Sequence, residues 1–137
     1  AAAVAAGARG EVPVGACLVL GGKVVARAGN RTRELSDPTA HAEILAIRAA
    51  AAHLGRDRLG DCDLWVTLEP CAMCAGAIAH ARIARLYFAA EDQKGGAVLN
   101  GPRLFTQPTV HHRPEIYHGI MEAESESLLR TFFAARR

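Results

Sequence analysis

The chain has 137 residues, 50% of them hydrophobic and 22% charged, with a formal net charge of +2. That length fits one domain, residues 1–137, with a real hydrophobic core. The small charge does not by itself demand a nucleic-acid partner, and no apolar run reaches the ~18–20 residues a membrane span needs. Four cysteines (Cys17, Cys62, Cys71 and Cys74) without a visible secretory segment favour metal binding or catalysis over disulfides.

In chain order, "AAAVAAGARGEVPVG" is Ala-rich and lacks a basic leader and a Leu-rich centre. It is expected to be the clipped end of a helix, not a signal peptide. Residues 14–20 and 23–29 are β-rich runs separated by Gly21-Gly22, a hairpin signal. Residues 39–54 read as a helix: Ile44, Ile47 and Ala51 recur at helical spacing, Asp37 or Thr39 can cap its start, and Gly55 stops it. "LWVTL" (64–68) suits a central buried strand. Pro70 opens a second helix to about Ala81, and residues 83–90 form another strand. A long irregular stretch follows, of a length that usually serves function. "EIYHGI" (115–120) is a last short strand. The final helix carries Leu128, Leu129, Phe132 and Phe133 on or near one face. The alternation predicts an α/β layered domain with a mixed sheet.

His41 and Glu43 are two residues apart, so on a regular helix they diverge by about 200°. They can act together only at a helix start, and Asp37-Pro38-Thr39 supplies one. Pro70 likewise puts Cys71 and Cys74 in the first turn of the next helix. A helix N-terminus favours thiolate, the form that binds zinc. Two helix starts can thus face one site, bringing an imidazole and two thiolates, a donor set that selects zinc. Three protein ligands leave a position open for water, and Glu43 is placed to handle that water's proton. A redox reading of C-x-x-C accounts for neither His41 nor Glu43.

Cys17 is expected in the core, and Cys62 is a weaker alternative as fourth ligand. His53 and His80 read as surface or interfacial. His111-His112-Arg113 is either a second metal spot or a phosphate-binding loop; lacking a third ligand, it is taken as loop structure. Residues 82–113 hold five Lys/Arg against two acids. This reads first as a solvated surface and is compatible with a phosphate-rich ligand.

"HAE" followed, after a helix and a strand, by "PCAMC" resembles the signature of zinc-dependent nucleoside and nucleobase deaminases. With "EVPVGACLVL", "GNRTRELSDPTAHAEI", "LWVTLEPCAMCAGAI", "EDQKGGAV" and "LLRTFFAARR", nearly the whole chain is similar to the bacterial tRNA-specific adenosine deaminases. The resemblance implies a three-layer α/β/α cytidine-deaminase-like fold around a mixed five-stranded sheet, and a cytoplasmic homodimer. It implies an enzyme converting the wobble adenosine of a tRNA anticodon stem-loop to inosine; a free guanine- or cytosine-type deaminase is the alternative. It assigns one zinc per chain to His41, Cys71 and Cys74, and proton transfer to Glu43. It places Asn30, backbone near Ala42, Asp92, Lys94, Phe132, Phe133, Arg136 and Arg137 at the substrate.

Overall fold

The computed structural model describes residues 1–135; the expected contacts of Arg136 and Arg137 lie outside the described residues. The chain runs α1 (Ala2–Ala8), β1 (Gly15–Leu20), β2 (Lys23–Gly29), α2 (Ala42–Leu54), β3 (Cys62–Leu68), α3 (Ala72–Ala81) and β4 (Arg85–Ala90). A short 3-10 turn at Leu104–Thr106, β5 (Glu115–His118) and α4 (Glu122–Ala134) complete it. The strands form one mixed sheet in the order β2-β1-β3-β4-β5. β1 is antiparallel to both β2 and β3, whereas β3, β4 and β5 are parallel.

The predicted hairpin is present. Gly21 and Gly22 take φ of +57° and +80°, the left-handed pair that a two-residue turn requires. Gly55, also left-handed, ends α2. The expected start of α2 is corrected. Its N-cap is His41, not Asp37 or Thr39. Asp37 instead accepts the Thr39 amide and hydroxyl at 2.8 and 2.7 Å, forming a turn before the helix. The strand expected at 83–90 begins at Arg85, and the one expected from 64 begins at Cys62.

Cross-strand registry sorts the side chains into two faces. Leu18, Leu64 and Leu86 stand in register and are fully buried with α2 and α3 residues in the main core. That core takes Ala42, Ala46 and Ala50 from α2, while Ile44, Ile47 and Ala51, whose spacing marks the helix, are only partly buried. The alternate row is Cys17, Trp65, Tyr87 and Tyr117. Cys17, Trp65 and Tyr87 of this row floor a groove of about 800 Å³ between α1 and α4. β3 is therefore central, as expected, yet its Trp65 is 37% exposed and stacks on Tyr87 at 3.9 Å. The result is the three-layer arrangement, with α2 and α3 on one face and α1 and α4 on the other.

Candidate active site

The parallel strands β3 and β4 end at one edge of the sheet, where Leu68 pairs with Ala90. β2 ends there too, because Gly29 pairs with Gly15 and the Gly15 amide donates to Thr67 Oγ1 at 3.2 Å. In open α/β sheets, ligands sit outside such carboxyl ends. Both α2 and α3 start at this edge.

His41 is the N-cap of α2 and Cys71 the N-cap of α3, both in extended conformation, and neither side chain caps its own helix. They point at each other instead. His41 Nδ1 lies 3.6 Å from Cys71 Sγ and 3.6 Å from Cys74 Sγ. The three ligand atoms all lie within 4.8 Å of one another. Zinc–ligand bonds of ~2.0–2.3 Å at tetrahedral angles require N···S separations of roughly 3.5–3.6 Å, so both His41–cysteine distances fit zinc. Three donors leave the fourth position open, which marks a catalytic rather than a structural site.

The electrostatics suit this. The Cys71 thiol is held down to about 4 by its hydrogen bond with Cys74 and, against partial burial, by that with His41. Cys74 is pushed up by the same hydrogen bond to Cys71 and by burial. A bound cation favours the thiolate form of both. His41 is raised by its bond to Cys71, against burial. Glu43, in the first turn of α2, is 4% exposed. Burial raises its carboxyl, while its own backbone amide, the Cys74 thiol and the His41 charge pull it partly back. A carboxyl moved toward neutrality beside an open metal position is suited to accept and return a proton.

The other expected residues divide. Asn30 follows β2 and is buried, with its amide on the Val14 carbonyl at 3.0 Å. The next amide, of Arg31, bonds the Ala40 carbonyl at 3.0 Å, which sets Asn30 beside the approach to His41. Ala42 is fully buried next to the ligand. Asp92 Oδ1 accepts the Lys94 and Gly95 amides at 3.1 and 2.9 Å, shaping a turn whose tip exposes Lys94. The structure does not bring Phe132 and Phe133 to the triad. They lie on α4, on the other face of the sheet, Phe132 buried and Phe133 50% exposed.

Cys62 is buried and bonds Asp61 at 3.7 Å; Cys17 is half-buried in the groove floor. Neither joins the triad. His112 bonds the Ile83 carbonyl at 2.7 Å and His111 packs on His80, consistent with loop structure. Two buried acids, Glu11 and Glu69, went unread in the sequence. The signal available for Glu69 was an acid closing the otherwise apolar run "LWVTLEPC".

The chain belongs to the zinc-binding family of cytidine and deoxycytidylate deaminases, which it matches over residues 1–90. Within that class, the tRNA-specific adenosine deaminase of Agrobacterium fabrum is 61% identical over 132 residues, covering 96% of this chain and 87% of the relative. A solved tRNA:A34 deaminase, studied for A-to-I editing at the wobble position of transfer RNA, superposes with a TM-score of 0.92 at 61% identity, covering 93% of each chain. The guanine deaminase of Bacillus subtilis is more distant, with 32% identity, a TM-score of 0.66, and 98% and 87% coverage.

Metal analysis of the purified protein should return about one zinc per chain. Cys74→Ala should bring it near zero, whereas Cys62→Ala should keep it. Retention of zinc by Cys74→Ala would remove that thiol from the ligand set.

Proposed function

We propose that this chain hydrolytically deaminates the wobble adenosine of a tRNA anticodon loop to inosine. The observation that carries this reading is the open His41–Cys71–Cys74 triad with buried Glu43 at its side. The 61% identity over nearly the whole chain to a tRNA-specific adenosine deaminase supplies the substrate. Zinc held by the triad supplies Lewis acidity that lowers the pKa of a water in the open position. The chain's own part is proton transfer and positioning. Glu43 accepts the water's proton and delivers it to N1 of adenine as the water oxygen bonds to C6. Glu43 then passes the remaining water proton to the C6 amine, which leaves as ammonia; adenosine and water become inosine and ammonia.

A base inside a duplex cannot reach a site recessed at a sheet edge, so a splayed anticodon loop suits it. Asn30 and the backbone near Ala42 line the approach for the nucleoside. Lys94, exposed on the adjoining turn, is placed for the RNA phosphates. We assign the protein to the cytoplasm, where transfer RNA serves translation; no helix among the described residues is long and apolar enough to cross a membrane. We infer a homodimer as well: Met73, between the two ligand cysteines on α3, is 37% exposed and invites an apolar partner.

Inosine formation in a synthetic anticodon stem-loop tests the reading directly. The unmodified protein should form inosine there and none from free adenosine, and Glu43→Ala should keep zinc but lose about 10²–10⁴ in turnover. Deamination of free guanine without stem-loop activity would sink the substrate assignment. Lys94→Ala should weaken stem-loop binding and flatten its log–log salt slope by about 0.7; an unchanged slope moves the RNA path elsewhere. Sedimentation should give twice the 14.5 kDa chain mass, and a monomer at micromolar concentration would exclude the dimer.

A further inference from the structure

Glu69 joins the end of β3 to Pro70, two residues before the ligand Cys71. It is 2% exposed, and both its oxygens are spent on one segment. Oε1 accepts the Asp92 amide at 3.0 Å and Asn100 Nδ2 at 2.7 Å. Oε2 accepts three consecutive amides, of Val98, Leu99 and Asn100, at 3.0, 2.9 and 3.1 Å. Consecutive N–H groups turned onto one oxygen form an anion-binding nest, and here the anion is the chain's own. The segment has no strand or helix to satisfy its buried backbone, so these bonds fill that need.

The same segment is tied to the neighbouring residue. The Ala97 amide donates to the Pro70 carbonyl at 2.9 Å. Gly96 is packed so closely that a Cβ would stand 2.4 Å from the Asp92 carbonyl and 2.5 Å from the Glu69 carboxylate. Residues 96–98 are thus buried against the start of α3, while residues 93–95 stand exposed above the sheet edge.

We propose that Glu69 is a positioning residue that fixes the 92–100 segment as the substrate-facing wall of the site. Its carboxylate sets the distance between Lys94 and the metal triad, and so governs how the RNA strand is held rather than how its base is deaminated. This rests on the tRNA reading above.

The test uses the zinc-loaded full chain and the Glu69→Gln and Asn100→Ala variants. Gln is nearly isosteric, but its amide group turns a donor toward donors. Asn100→Ala removes the Nδ2 bonds to Glu69 and Glu91, leaves the backbone amides on Glu69, and serves if Glu69→Gln folds poorly. Glu69→Gln should keep one zinc per chain, raise KM for the stem-loop about tenfold, and leave kcat within about threefold. Asn100→Ala should shift KM the same way by less. Hydrogen exchange should quicken at Asp92, Val98, Leu99 and Asn100 in Glu69→Gln, with the α3 amides unchanged. A fall in kcat at constant KM, or loss of zinc, would overturn the proposal and place Glu69 in the service of the metal. Faster exchange with an unchanged KM would overturn it too, since the wall would then not meet substrate. If the unmodified protein makes no inosine, the substrate reading fails. The exchange arm then decides separately whether Glu69 holds the segment: released amides keep the anchoring, and protected ones end it.

Discussion

Two helices that begin at the same point, without capping themselves, constrain everything else in this molecule. A side-chain cap is worth about 1 kcal/mol, and His41 and Cys71 both forgo it. Their side chains meet across 3.6 Å instead, and the unpaired amides of two helix starts surround a site for thiolate and cation. The topology is what makes the meeting possible. The connections β2-α2-β3 and β3-α3-β4 each join strands running the same way, and each steps in the same direction across the sheet. Crossovers of one hand stepping in one direction must lay their helices on one face. Both helices then start at the carboxyl edge, side by side. The third step, β4 to β5, carries no helix. Its long segment nevertheless falls on the same face, placing Ala97, Val98 and Phe105 in the main core.

The loops that surround the metal site cannot rely on strand or helix bonds, and buried carboxylates hold them. Glu11 accepts the Arg33 and Glu34 amides at 3.1 and 2.8 Å, shaping the stretch that leads to His41. Glu69 does the same for the 92–100 segment. A buried carboxylate is costly unless its lone pairs are filled, and backbone amides fill them here. Glu43 is the contrast. Burial would raise both Glu43 and Glu69, but the Asp92, Asn100 and Val98 donors hold Glu69 below the usual range, while Glu43 stays raised. Environment thus separates one residue type into a fixed anion and a carboxyl moved toward neutrality.

This division explains which parts were legible in the sequence. The hairpin, the two helix starts and the triad depend on local signals: Gly-Gly, Pro, and residues whose spacing makes sense only in a first turn. The cap of α2 was misplaced because Asp37 and Thr39 are the commoner capping types, and His41 holds the position for the metal's sake. The spacing of Ile44, Ile47 and Ala51 marked α2 as a helix, but its buried face is alanine, which no hydrophobicity count picks out beside isoleucine. The acid closing an apolar run marks Glu69, but its donors lie 23–31 residues away, and no short-range pattern encodes a bond across that separation. Phe132 and Phe133 lie on α4, and only the sheet's two-sidedness shows that α4 is across from the triad.

The alanine face of α2 carries a geometric consequence. Ala42, Ala46 and Ala50, with Ala75 and Ala79 of α3, are all buried against the sheet. Helix separation depends on the side chains at the contact, so small residues let both helices approach the strands and each other. Larger residues would satisfy the hydrophobic effect better but would spread the helix starts. Ligand distances tolerate only ~0.2 Å of error, whereas a single added methylene in a packed interior already forces shifts. The alanines therefore give up apolar area to keep the two N-caps within reach of one metal ion, and Ile47, on the flank, recovers part of that loss at the core's margin.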